Sequence, residues 1–262
     1  MKTVPLREHN RYELPFGIYK DGKTYLDFAI RPLTGRVRQQ VLQNSEKRNH
    51  IELIDNGVHA VLTSLCGQDA PPRGLVEKLV AVDRDYILLI SQVNTKPMQD
   101  FKETCKGCGQ VMEGEIDLEA VEILLPQDED FYVLNGERVY DVTSPAKGLE
   151  KATMRMRTVK NEEEAFRGGR SKVPFGPEFK LLSDSIVDFN GNGPLTEQQV
   201  ADLDVGVLDE LNSLIGSKQF GPNLETLIGC EGCGVVNTHT LDVVTHFLGP
   251  SLMKALQTSG ER

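Results

Sequence analysis

"TCKGCG" at residues 104–109 and "GCEGCG" at 229–234 place four of the chain's five cysteines in two copies of Cys-x-x-Cys-Gly. The cysteines are Cys105, Cys108, Cys230 and Cys233, so the copies stand 125 residues apart (105 to 230). Such a turn points both sulfurs at one spot, and the glycine after it tolerates the positive φ the turn often needs. A structural tetrahedral ion takes four ligands, so each copy is half a site. Of His9, His50, His59, His239 and His246, none follows the first cysteine pair within its half, so histidine cannot complete both sites alike. The economical expectation is one shared site, with all four thiolates around a single structural Zn²⁺. A thioredoxin-like dithiol needs its first cysteine at a helix N-terminus in a βαβ setting. Here a period-2 stretch follows each pair instead: Met112, Ile116 and Leu118 share one face, as do Val235, Leu241 and Val243. An iron–sulfur centre also uses four cysteines, but the twin knuckles favour zinc. Four thiolates close the site, which argues against chemistry at the metal. Cys66, at the end of an apolar stretch, reads as a core thiol.

Outward from the cysteines the chain looks written twice. Ile116-Asp117-Leu118 matches Leu241-Asp242-Val243 at the cysteine offset of 125. Residues 77–90 resemble 198–211 at an offset of 121, with Leu79 on Val200 and Asp83 on Asp204. Asp21-Gly22 and Asn135-Gly136, both hairpin-turn signals between alternating apolar residues, match at 114. The join falls in "PQDED" (126–130). The expected fold is α+β: two tandem pseudo-repeats, residues 1–126 and 127–262, each hairpin, helices and knuckle, joined through the shared four-cysteine site.

Within this plan, residues 12–31 form a hairpin and Thr34 caps a helix over 35–44. Residues 50–66 and 74–92 each carry a helical apolar stripe. Thr196 with Gln199 makes a capping box for a second-half helix carrying Val200, Leu203, Val207, Leu211 and Leu214, ended by Gly216. The stretch 161–179, with Arg167, Arg170 and Lys172, reads as an irregular loop.

The formal charge of −10 argues against a surface that tracks phosphates. No apolar run approaches the roughly 18–20 residues of a membrane span, and the first residues lack the apolar centre of a secretory signal. The expectation is a reducing compartment, where paired cysteines serve as ligands. There is no P-loop, Rossmann glycine pattern, nucleophile elbow or His-Glu-x-x-His. Asp83 and Asp85 suggest a carboxylate pair, but an acid repeated as Asp204 reads as architectural. Asp117 and Asp242 read as local caps or local pairs, and His239 as a solvated strand residue, the alternative being a hydrogen bond near the metal.

The order of these features resembles the baseplate hub or baseplate assembly proteins of contractile-tailed bacteriophages and related injection systems. The resemblance rests on "LPFGIYKDGKTYLDFAIRPLTGR" (14–36), "VAVDRDYILLISQVN" (80–94), "TCKGCGQVMEGEIDL" (104–118) and "CEGCGVVNTHTLDVVTHFLGPSL" (230–252). It implies a non-enzymatic protein that binds other tail subunits of the hub, tube or wedge, in the virion or, if needed only for assembly, in the host cytoplasm. It also implies Cys105, Cys108, Cys230 and Cys233 as zinc ligands. The second half has "TSPAKG" (143–148) in place of the first half's "PLTGR", which departs from that pattern. The rival binding-module reading is a zinc-ribbon adaptor for nucleic acid or another protein complex.

Overall fold

Asp21 and Gly22 both take positive φ (51° and 80°) and turn strand β1 (Arg11–Lys20) back onto β2 (Lys23–Ile30). The computed structural model that shows this describes residues 11–43, 50–127, 130–144, 148–166, 176–217, 220–243 and 247. After the hairpin, the Thr34 hydroxyl accepts the Val37 N–H at 3.4 Å and opens α1 (Gly35–Gln43). Next come α2 (His50–Val61), β3 (Leu62–Leu65) and β4 (Gln68–Asp69), then α3 (Arg73–Val76) and α4 (Ala81–Val93). The first knuckle lies between β5 (Met98–Thr104) and β6 (Val111–Asp117), followed by a 3₁₀ turn (Leu118–Ala120) and β7 (Ile123–Leu124). The chain continues through β8 (Tyr132–Leu134), β9 (Glu137–Thr143), β10 (Lys151–Arg155), α5 (Val159–Phe166) and α6 (Pro177–Ser185). Further on come β11 (Ile186–Phe189), α7 (Glu197–Ala201), α8 (Val205–Ser217), β12 (Gly221–Pro222), β13 (Glu225–Gly229) and β14 (Val236–Thr240). Two four-stranded antiparallel sheets, in the orders β1-β2-β3-β4 and β11-β10-β9-β8, and three two-stranded ones make this an α+β fold.

Three helical expectations change. The stretch 50–66 is helical only to Val61; Leu62–Leu65 form β3, because β2 takes them as its second partner. A continuous apolar run fits a buried strand as well as a helix. The expected helix over 74–92 breaks around Val80, where the backbone turns aside to pair with the second half. Ala81 N–H donates to Arg157 (3.0 Å) and Val159 N–H to Leu79 (2.8 Å). The second-half helix likewise splits into α7 and α8, although its capping box forms as expected. The stretch 161–179 is not one loop: α5 runs to Phe166 and α6 starts at Pro177. Arg167, Arg170 and Lys172 lie outside the described residues.

A single displacement relates many elements. β3 starts at Leu62 and β11 at Ile186, 124 residues on; α4 spans Ala81–Val93 and α8 Val205–Ser217, again 124 on at both ends. β2 and β3 pair as Phe28↔Leu65, Ala29↔Ser64 and Ile30↔Leu62, with a bulge at Thr63. β10 and β11 pair as Ala152↔Phe189, Thr153↔Asp188 and Met154↔Ile186, with a bulge at Val187. Cys66 and Gly67 (φ 52° and 72°) leave β3 as Asn190 and Gly191 (φ 51° and 77°) leave β11. At that displacement Leu79 aligns with Leu203 and β1-β2-β3 with β9-β10-β11, whereas the offsets read from the sequence are 121 and 114. Asp83 then falls on Val207 and has no acidic counterpart. Asp204 is an exposed residue whose carboxylate accepts the Gly206 N–H at 2.8 Å.

Two apolar cores result. One packs β1–β3 and α1–α4 with Leu241, Val243 and Phe247. The other packs β9–β11 and α6–α8. In α4, Tyr86–Val93 are all buried, polar Ser91 and Gln92 among them, so it serves as a central helix rather than an amphipathic surface one. A bulge in β1 sends Phe16 out of the first core and into the second, edge-on to Phe131 with centroids 5.2 Å apart. Gly17 at φ 78° permits the bulge, since a Cβ there would lie 2.6 Å from the Tyr25 carbonyl. Asp83, fully buried, accepts the Phe16 and Gly17 N–H groups at 2.8 Å each. Arg138 donates to the Phe16 carbonyl at 2.8 Å and stacks on its ring.

Candidate metal centre

Each knuckle caps a two-stranded antiparallel hairpin and is closed by the same two bonds. The first cysteine's N–H donates to the carbonyl five residues on (Cys105 to Gln110, 2.8 Å; Cys230 to Val235, 2.9 Å). The glycine's N–H donates back to that cysteine's carbonyl (Gly109, 3.0 Å; Gly234, 2.8 Å). The two glycines stand at φ 76° and 73°, as the motif requires.

The hairpins bring all four sulfurs together. Cys105 Sγ lies 3.7 Å from Cys233 Sγ, Cys108 Sγ lies 3.7 Å from Cys230 Sγ, and all four lie within 4.8 Å of one another. A regular tetrahedron with metal–sulfur bonds of about 2.3 Å has edges of about 3.8 Å. One tetrahedral ion therefore fits between the thiolates. A multi-iron cluster, which must itself sit between the sulfurs, would hold them farther apart. The separations also exceed the roughly 2.05 Å of a disulfide, and all five cysteines are free thiols.

The contacts are reciprocal. Shifting Cys105 and Cys233 by 125 residues, one forward and one back, gives Cys230 and Cys108, the other close pair. Gly107 faces Val235, and Gly232 faces Gln110, related by the same shift. The two contacts differ in tolerance. A Cβ on Gly107 would lie 2.8 Å from Val235 Cγ2, on a stiff β-branched side chain. A Cβ on Gly232 would lie 2.0 Å from Gln110 Oε1, the free end of a flexible one. Gly107→Ala is expected to cost about 1–3 kcal/mol of overpacking and to loosen metal retention in chelator competition. Gly232→Ala should do so much less.

Polar contacts lock the hairpins face to face. Buried Asn237 accepts the Lys106 N–H at 2.9 Å and points its Nδ2 at Cys105 Sγ (3.6 Å) and Met112 Sδ (3.5 Å). Met112 is the residue 125 places before Asn237, so the two meet across the site. Met112, Leu118, Leu241 and Val243 are buried and Ile116 partly so, whereas Val235 is exposed. His239 is not a solvated strand residue: its Nδ1 lies 2.6 Å from Glu103 Oε1 and its ring packs on Phe101. These outer contacts orient the thiolates, a role comparable to that of the shell around other metal sites.

Without an ion the Cys105 and Cys233 thiols shift in opposite directions. The Cys108 and Gly107 N–H groups, with help from Asn237 and Cys230, hold the Cys105 thiol down at about 6. At Cys233 the Val235 N–H also favours the thiolate, but the Cys108 sulfur, burial and the other two sulfurs prevail and push it up to about 12. Binding an ion must therefore displace protons, which couples affinity to pH. Four thiolates fill a tetrahedral ion and leave no position for a substrate.

The remaining candidates lie elsewhere. The half-buried Cys66 packs against the first core, and burial with Asp27 and Asp83 raises its thiol to about 11. Asp117 caps the 3₁₀ turn through the Glu119 N–H (2.9 Å). His59 lies on α2, away from the sulfurs; His9, His246 and the His50 side chain lie outside the described residues. Asp188, Asn190, Asn192 and Gly193 have the spacing that opens a calcium loop, a signal legible in the sequence. Its donors are already committed to the chain. Asp188 accepts the Gly191 and Gly193 N–H groups (2.8 and 2.7 Å), and Asn190 Oδ1 accepts those of Glu150 and Lys151 (2.9 and 3.0 Å). Gln199 stands where such a loop carries its bidentate glutamate, and its Oε1 accepts the Thr196 N–H at 2.9 Å.

Among the described residues no helix is long and apolar enough to cross a membrane. Comparison with protein-family models, curated proteins and solved structures gives no match.

Proposed function

We infer that this chain is a non-enzymatic structural or assembly component of a phage-type contractile-tail baseplate or hub, closed by one structural zinc and acting by binding other tail subunits. The observation that carries the reading is the reciprocal four-thiolate cluster, which joins two segments 125 residues apart (105 to 230). A site of this kind fixes the relation between two bodies and offers no open position for chemistry. The common displacement of strands, helices and knuckles supports a chain built as two pseudo-repeats, residues 1–126 and 127–262, from a duplicated unit. In a twofold pair, contact i–j implies contact j–i, and the knuckles keep that relation. Zinc is preferred for the all-thiolate tetrahedral set because it needs no redox partner and favours no other geometry. The tail assignment rests on the resemblance of residues 14–36, 80–94, 104–118 and 230–252 to baseplate proteins.

Two measurements test this. Elemental analysis of the purified chain should find one zinc per chain; a stoichiometric iron signal with thiolate-to-iron absorption would replace zinc by iron. Co-purification with hub, tube and wedge subunits should yield a stable complex of fixed stoichiometry. A chain that stays monomeric in the presence of all of them has some other role.

A further inference from the structure

Away from the thiolates, a polar cleft of about 450 Å³ opens where α2 and α3 face α5, lined by Asp55, Asn56, His59, Arg73, Glu77 and Glu163. Asp55 is 5% exposed and Glu163 2% exposed, so two carboxylates from different halves of the chain are buried in one place. Arg84 bonds Asp85 and Glu162, and Arg73 bonds Glu77 and Glu163. Asp55 is left over. Its nearest cation among the described residues, Arg84 Nη1, is 3.7 Å away, and neither of its buried oxygens has a hydrogen-bond partner. A buried carboxylate without a hydrogen bond costs several kcal/mol unless something neutralises it.

The donor set narrows what that something is. The unpaired donors are carboxylate oxygens, which suit a hard cation rather than a thiophilic one. Among the described residues no third carboxylate, histidine or cysteine converges with them into an all-protein cage; the four thiols are the only such cluster. Calcium takes six to eight oxygen ligands, whereas magnesium keeps several waters and binds through one or two carboxylates. The cleft has room for those waters. We propose that this cleft binds one hydrated divalent cation of the Mg²⁺ class, with Asp55 as its carboxylate anchor and Glu163 facing its water shell. The ion would tie α2 of the first half to α5 of the second, a second clasp chemically unrelated to the thiolates and independent of any role in a tail.

The test uses the full chain, cleared of loosely bound ions and held at pH 8, where a proton is a poor substitute. Mn²⁺ titration followed by electron paramagnetic resonance should show one saturable site from which Mg²⁺ displaces the probe. The melting temperature should rise with Mg²⁺ concentration. Asp55→Asn should weaken Mn²⁺ binding by at least about tenfold with thiolate-bound metal unchanged, and Asn56→Asp should tighten it. A wild-type chain with no saturable Mn²⁺ site up to about 10 mM, well above the weakest natural oxygen sites, overturns the proposal without recourse to any variant. So does an Asp55→Asn protein, folded by circular dichroism, that binds Mn²⁺ as the wild type does.

Discussion

Cys230→Ser protein is expected to lose the bound metal to a chelator concentration that leaves the wild type loaded, and to melt at a much lower temperature. Serine is a poor ligand for a thiophilic ion, so the variant presents three thiolates and an open position. Structural zinc in small fingers contributes about 10–16 kcal/mol of apparent binding energy. A whole domain is stable by only about 5–15 kcal/mol, so even a partial loss is large. The effect should be localised as well as large. The third hydrophobic cluster, centred on Cys105, Met112 and Cys230, is small and holds the two hairpins together only beside the sulfurs. Hydrogen exchange should therefore speed up first in β5, β6, β13 and β14. Cys66→Ser is the control: that thiol lies outside the cluster, and its variant should keep full metal and lose roughly 1 kcal/mol or less, as a small change at a half-buried site usually does. Metal content and melting curves equal to wild type in Cys230→Ser would mean that the four sulfurs do not share an ion.

Asp83→Ala should produce the largest loss of any single substitution away from the sulfurs, about 3–5 kcal/mol near pH 6. The carboxyl accepts two backbone N–H groups in full burial. Deleting it strands both donors at about 1–3 kcal/mol each and leaves a cavity. The bulge it holds delivers Phe16 into the second core against Phe131 and Phe220, so the damage reaches both halves. The pH dependence identifies the cause. Burial outweighs the Phe16 and Gly17 N–H groups and the Arg138 charge, and raises the Asp83 carboxyl from 3.8 to about 7. Between these values the folded chain binds the proton more tightly than the unfolded chain. The stability contributed by Asp83 is thus complete below about pH 4 and is lost as pH rises through 7. The gap between wild type and Asp83→Ala should narrow from pH 5 to pH 8, because other titrating groups act on both proteins alike. Chemical denaturation at three pH values checks it; a gap that widens with pH would mean that the carboxylate, not the acid, is the favoured buried form.

Local chemistry made parts of this protein readable in advance. Cys-x-x-Cys-Gly and the Asp21-Gly22 and Asn135-Gly136 turns impose their own backbone conformations wherever they occur. The capping box of Thr196 and Gln199 satisfies donors within four residues. The shared four-sulfur cluster followed from counting ligands, since neither pair could complete a site alone. The residue displacement did not follow, because apolar helix positions recur every three or four residues and so match acceptably at 121 as well as at 124.

Residue order alone determined the knuckles, the turns, the caps and which four thiols would have to meet, because each depends on atoms a few residues apart or on a simple count of ligands. Only the tertiary structure decided that Leu62 leaves its helix to pair with β2, that Val80 interrupts the next helix, that Phe16 crosses into the other core and that Asp55 lies buried without a hydrogen bond. Each of those outcomes is set by a partner distant in the chain, and the energy of an unpaired backbone group, a displaced ring or a crowded set of charges exists only once that partner is in place.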